Sequence, residues 1–266
     1  MRDTFGKVGE TSGFVMAGLG RLSGLLMQVF GLLLKAPFQR KTIKMRHVFH
    51  QIVLMGVDSF GIICLVGASV GMVLALQASY QLKQFGAQLY TGSLVSVSVT
   101  RELGPMVAAI VLSGRVGARL AAELGTMKVQ EEVDALSTMG LNPVQYLVLP
   151  RFLAFMVILP CLTIVTDVMG MVGGFIISTV GLSMNPYLYI AKTFDALVLK
   201  DIYTGLVKSG LFAVLIALVS CHQGLSVEGG ADGVGRATTS AVVISIVLIL
   251  IVDCLATAVM YYVLPA

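Results

Sequence analysis

Ionisable residues stand where the chain is otherwise apolar: Arg101 and Glu102 within VSVSVTRELGPMVAAIVL, Asp167 after Phe152, Lys208 after Gly205, and Asp253 in the last apolar run. A charge at the centre of a bilayer costs about 2.5–3.5 kcal/mol on insertion scales, so each must pair inside a bundle or face a polar cavity, and function is the default reading. Arg101 and Glu102 are neighbours, about 100° apart on a helix, and need not pair with each other. Lys208, near a span end, can snorkel outward. It can also pair with Asp253, and either can meet Arg101 or Glu102. The structural alternative is that these groups only satisfy neighbouring helices.

A second concentration of polar residues lies between Ser113 and Arg151. Arg115, Arg119 and Glu123 recur every four residues as one stripe, and Arg119 with Glu123 is a helical ion-pair spacing. Thr126 is a candidate cap for a short helix carrying Glu131, Glu132, Asp134, Ala135 and Leu136. Gly140 and Pro143 break that helix. An acidic helix held by rigid turns between two membrane spans is expected to dock on a separate soluble protein and pass force into the membrane.

Other chemistry lacks its signatures. The GxSxG pattern occurs as Gly67–Gly71 inside an apolar run, without the strand-to-helix turn that chemistry needs, and there is no HExxH and no paired carboxylates in a soluble domain. The glycine-rich segment His222–Arg236 lacks the GK[ST] and the preceding strand of a phosphate-binding loop. Cys64, Cys161, Cys221 and Cys254 form no CxxC pair and read as small hydrophobes. His47, His50 and His222 lack ligand spacing. No catalytic residue, metal site or cofactor of the chain's own is expected, so the chain reads as a non-enzyme.

The elements that would position these residues follow from composition. Of 266 residues 57% are hydrophobic and only 12% charged, with mean hydropathy +0.92; soluble domains are nearer a quarter charged. Apolar runs reach the roughly 20 residues that cross a bilayer. The fold class is therefore an all-α, polytopic integral membrane protein. Five spans are expected, Ile52–Tyr80, Leu94–Leu112, Phe152–Val180, Gly205–Cys221 and Ala237–Leu264. Residues 1–47 form an N-terminal cytoplasmic or interfacial region, and residues 48–266 a membrane domain with the acidic helix near 126–140. Phe14–Leu34 carries Arg21 in its middle and is expected to lie at the interface. Gly67 and Gly71 form a GxxxG pair, and Gly170, Gly173 and Gly174 permit close packing or a kink; these glycine-rich faces are expected at a dimer seam. Pro105 is expected to kink its helix.

Bases place the chain in the membrane. Arg2, Lys7, Arg21, Lys35, Arg40, Lys41, Lys44 and Arg46 crowd the N-terminal region, which assigns it to the cytoplasm. An odd span count then puts the C-terminus outside. The apolar flanks argue against nucleic-acid binding.

Two long segments, RELGPMVAAIVLSGRVGARLAAELGTMKVQEEVDALSTMGLNP and GGADGVGRATTSAVV, resemble the MlaE (YrbE) permease family, membrane subunits of ABC systems that work with MCE proteins. The resemblance covers essentially Val48 to the end. The acidic helix also loosely resembles the EAA loop of bacterial importer permeases, with Glu132-Val133-Asp134-Ala135 in its place. The family resemblance implies a homodimer in the inner membrane of a Gram-negative cell. It implies a partner ABC ATPase that binds ATP and Mg, a hexameric periplasmic MCE ring and often a small STAS-domain protein on the ATPase. It also implies phospholipid movement between inner and outer membranes, maintaining outer-membrane lipid asymmetry.

A lipid site needs apolar walls and a few polar groups for the headgroup. Leu74, Gln77 and Tyr80 recur on one helical face as candidate walls, with Arg101, Glu102, Lys208 and Asp253 as candidate polar groups; a cation there could meet a lipid phosphate. Glu131, Glu132, Asp134, Ala135, Leu136 and Gly140 are the candidate ATPase-coupling residues. Two other readings are an ion-coupled secondary transporter using Asp167, Asp253 and Glu102, and a structural membrane anchor of an envelope complex. The absence of an evident inverted repeat argues against the first.

Overall fold

A computed structural model describes Met45–Val263 together with Gly20, Gly24, Met27, Gln28, Val29 and Gly31. The expectation for Phe14–Leu34 as a whole, most of the N-terminal bases and the last residues, Leu264–Ala266, lie outside the described residues. The described part is helical. Helix α1 is Met45–Gln84, α2 is Gln88–Val129, α3 is Glu132–Thr138 and α4 is Val144–Gly181. Helix α5 is Pro186–Ala196, α6 is Leu199–Leu225 and α7 is Gly230–Val263.

Helices α1, α2, α4, α6 and α7 are each long and apolar enough to cross a membrane, which makes this a multi-pass protein with the five expected spans among the described residues. Their outward faces carry Val57, Phe60, Leu65, Ile164, Val168, Val247, Leu250 and Ile251, all exposed. Such faces suit lipid tails, since helices satisfy their backbone groups internally. The core between the spans is built from Leu112, Leu120, Leu124, Phe155, Leu159, Phe212 and Ile216.

The longest packing seam joins α1 to α4. A Cβ on Gly71 would stand 1.9 Å from the Gly170 carbonyl oxygen, and one on Gly173 would stand 2.1 Å from that of Ala68. Gly67 fits against Thr166 in the same row, 3.0 Å from its oxygen. The glycine faces expected at a dimer seam are thus consumed within one chain, because small residues let two backbones approach where no hydrophobic force favours helices over lipid.

Helix α2 bends its hydrogen-bond ladder twice without stopping. Val99–Leu103 and Ser113–Gly117 are both π-turns. The first ends two residues before Pro105, which has no N–H to give the carbonyl one turn back, so the hydrogen-bond ladder shifts at the place where a kink was expected. Helix α7 touches the bundle along a single ridge, Ala237, Ala241, Ser245 and Ile249.

Two short helices lie off the spans. In α5, Asn185 caps the first turn by accepting from the Tyr187 N–H at 2.9 Å. Tyr189 and Thr193 are its buried residues and seat on glycines: Cβ atoms on Gly174 and Gly92 would lie 2.8 Å and 2.7 Å from their hydroxyl oxygens. Burial pushes the Tyr189 phenol up to about 12. Helix α3 starts later than Thr126 suggested. The Thr126 hydroxyl donates to Ala122 O at 2.9 Å inside α2, and the chain turns at Glu131, which takes a left-handed φ of 62°.

Candidate functional site: a buried charge cluster beside an apolar groove

Lys208 is the centre of the site. It is 1% exposed in the body of α6, so it does not snorkel. Its ammonium donates to the Glu102 carboxylate of α2 and to Thr257 Oγ1 of α7 at 2.6 Å. Asp253 Oδ1, also on α7, stands 3.0 Å away as an ion pair without hydrogen-bond alignment. The Thr257 hydroxyl has one proton, which reaches either Asp253 O at 2.9 Å or the Glu102 carboxylate at 3.1 Å. One cation facing two carboxylates explains why Lys208 tolerates burial: removing both neighbours would leave it stranded in low dielectric.

Arg101 turns the other way. Its guanidinium pairs with Asp201 near the start of α6. The arginine side chain is 49% exposed and the aspartate 1%. Asp201 also accepts the Val198 N–H at 3.2 Å, completing the first turn of α6. The pairing therefore holds Arg101 at a fixed place while leaving guanidinium donors free. Arginine's planar fork suits phosphate as well as carboxylate.

The apolar part of the expected site lies elsewhere. Leu74, Gln77 and Tyr80 line an open groove of about 600 Å³ together with Leu76, Gln81 and Leu94. Neither Arg101 nor Lys208 lines it. Leu94 is its α2 wall, and Arg101 follows two turns along α2, about 10 Å further at 1.5 Å per residue. The structure thus divides the seven expected residues into a groove (Leu74, Gln77, Tyr80), a cluster around the buried Lys208 (with Glu102 and Asp253) and a half-exposed cation, Arg101, paired with Asp201.

Asp201 and Thr257 escaped the sequence reading. Asp201 stands two turns before Lys208 on α6, and Thr257 one turn after Asp253 on α7, so helical spacing from the charged residues was the available signal. Asp167 joins none of these groups. It is 8% exposed on α4, and its Oδ1 packs where a Cβ on Gly104 would be, 1.7 Å away.

At the other end of the bundle, Glu131, Glu132, Asp134, Ala135 and Gly140 are exposed, Leu136 is half-buried and Val133 is buried as the foot of α3. Lys128 bridges to Asp134 at 2.8 Å. Gly140 has φ +74° and closes the helix. Arg119 pairs with Glu123 at 2.8 Å, and Glu123 with Arg151 at 3.4 Å, so the stripe emerging from α2 is tied to the start of α4. The described residues contain no cluster of His, Cys, Asp and Glu that could hold a metal ion.

Comparison with known proteins agrees with this architecture. The family model described as Permease MlaE matches residues 48–259. A probable ABC transporter permease protein of Rickettsia typhi is 42% identical over 214 residues, covering 80% of this chain and 83% of that protein. One of Synechocystis is 40% identical over 209 residues, 79% and 80% of the two chains. The chloroplastic protein Trigalactosyldiacylglycerol 1 of Arabidopsis thaliana is 37% identical over 210 residues, 78% of this chain and 59% of that protein. With five membrane-length helices and a family match over most of its length, the chain belongs to the MlaE permease family.

Proposed function

We propose that this chain is the permease subunit of an ABC transporter that moves phospholipids between the inner and outer membranes and so maintains outer-membrane lipid asymmetry. A separate ATPase binds ATP and Mg and docks on α3. The chain works as a homodimer in the inner membrane, N-terminus cytoplasmic and C-terminus periplasmic. It carries a hexameric MCE-domain protein on the periplasmic side and, in some assemblies, a STAS-domain protein on the ATPase. The observation that carries the lipid reading is Arg101: a half-exposed guanidinium two turns from an apolar groove walled by Leu74, Tyr80 and Leu94. Acyl chains suit the groove and a headgroup phosphate suits the arginine. Family membership and the relatives named as ABC transporter permeases support the ATP-driven role.

The test is to purify the chain with its membrane neighbours in mild detergent, identify the co-purifying proteins and quantify bound lipid by mass spectrometry. Stoichiometric phospholipid that drops several-fold in Arg101→Ala, with an ATPase present, supports the reading. A chain that purifies without an ATPase and with only exchangeable bulk lipid rejects it and favours the ion-coupled alternative.

A further inference from the structure

Hydroxyls inside a membrane bundle are normally satisfied by the carbonyl one turn back, and this chain follows that habit: Ser59 donates to Met55 O, Thr163 to Leu159 O and Thr166 to Leu162 O, all at 2.7–2.9 Å. Ser113 on α2, Ser220 on α6 and Ser245 on α7 do not. All three are 0% exposed, and none has a hydrogen-bond partner. Leaving a buried hydroxyl unsatisfied is costly, so three of them require an explanation.

They lie close to one level. Near the end of the bundle that carries α3, α2 touches α7 where Gly125 meets Val234, with a Cβ on Gly125 only 3.5 Å from the valine methyls. From that contact Ser113 lies twelve residues back along α2 and Ser245 eleven residues forward along α7, both about 17 Å away at 1.5 Å per residue. Ser245 belongs to the one ridge by which α7 is buried. Ser220 points at the same stretch of α2: its Oγ is 2.9 Å from where a Cβ on Gly117 would be. Ser113 and Gly117 are the first and last residues of the second π-turn. Arg115, exposed in that turn, gives it a polar side toward the outside of the bundle.

We propose that the π-turn Ser113–Gly117 is a hydrated joint, with ordered water held between the α2, α6 and α7 helices by the hydroxyls of Ser113, Ser220 and Ser245. The occupant is small, because the helices pack closely here: Ala217 and Ala241 are 0% exposed, and a Cβ on Gly117 would also stand 3.3 Å from Ile216. Water makes two to four hydrogen bonds and suits a group of orphan hydroxyls. A π-turn carries one surplus residue. Water that exchanges partners with the turn's carbonyls lets that residue migrate along α2. Helix α2 bears Glu102 of the buried cluster and leads directly into α3, so such a shift would change the register between the two. The water site itself does not depend on which substrate the permease carries.

Amide hydrogen exchange on the full chain in lipid nanodiscs tests this. The expected result is that amides of residues 113–118 exchange at least tenfold faster than those of 106–112, although both stretches lie in the same helix. The Ser113→Ala/Ser220→Ala/Ser245→Ala variant should return them to the neighbouring rate. Equal rates in the wild-type chain, or an unchanged fast rate in the variant, overturns the proposal. Should the triple variant fail to fold, a wild-type cryo-EM map that resolves water decides. Density within hydrogen-bonding distance of two of the three hydroxyls supports the joint, and a dry interface overturns it.

Discussion

Gly71 on α1 and Gly170 on α4 meet backbone to backbone, so closely that a Cβ on Gly71 would stand 1.9 Å from the Gly170 carbonyl oxygen. This contact, repeated by Gly173 against Ala68, makes α1 and α4 one rigid pair. That pair carries the groove residues Leu74, Gln77 and Tyr80 at its end, so the shape of the groove depends on a glycine about one to two and a half turns away along α1.

Gly71→Leu is therefore expected to destabilise the chain by more than the roughly 1–3 kcal/mol typical of overpacking, since backbone rather than a flexible side chain must move. The measurement is thermal unfolding in detergent alongside Gly61→Leu. Nothing lies within 4 Å of a Cβ at Gly61, so that substitution should be nearly neutral. Equal losses for the two would mean that the seam is not formed as described.

Lys208→Ala leaves Glu102 and Asp253 facing each other without their cation. Breaking a fully buried pair costs about 3–5 kcal/mol because an uncompensated charge remains, and with the Glu102 side chain 38% exposed the loss here should fall below that range. Lys208→Ala combined with Glu102→Gln and Asp253→Asn removes the charges together and should recover much of the stability. A triple variant no more stable than the single one would show that these groups do not act as one cluster.

Reversing Glu131, Glu132 and Asp134 to Lys should reduce co-purification of the partner ATPase at least several-fold while insertion of the permease is unchanged. These side chains are exposed, and the one ion pair lost, Lys128 with Asp134, is a surface pair worth little to the fold. ATPase recovery equal to that of the wild-type chain would remove α3 from the docking surface.

Tyr189 predicts an alkaline limit on the seating of α5. Burial raises its phenol from 10.0 to about 12. The neutral form is thus the one the fold favours. Its contribution is complete below pH 10 and fades as pH rises toward 12. Tyr189→Phe should abolish this pH dependence while keeping α5 docked, since the hydroxyl has no aligned partner. Tyrosinate absorbance and proteolysis of the α4–α6 connection, followed from pH 9 to 12, report the two effects. A Phe variant that loosens over the same range would assign the effect to another group.

Much of this architecture follows from composition and periodicity. Apolar runs near twenty residues become membrane helices, because in lipid a helix satisfies its backbone within one segment, and the five spans emerged where expected, although each helix begins six to eight residues earlier and α2 runs on to Val129, 17 residues beyond Leu112. Arg101, Glu102, Lys208 and Asp253 announced themselves by standing in those runs. The family was legible in two motifs. What sequence spacing left open was which partners meet. Lys208 turned inward because α2 and α7 present two carboxylates and a hydroxyl at its level, and Arg101 turned to Asp201, which lies just before the expected span Gly205–Cys221. Likewise GxxxG marks a close helix contact without saying whose helix answers it. The answer, α4 of the same chain, depends on how the spans are arranged around one another. Periodicity along a helix determines which residues share a face; only packing between helices decides what that face meets.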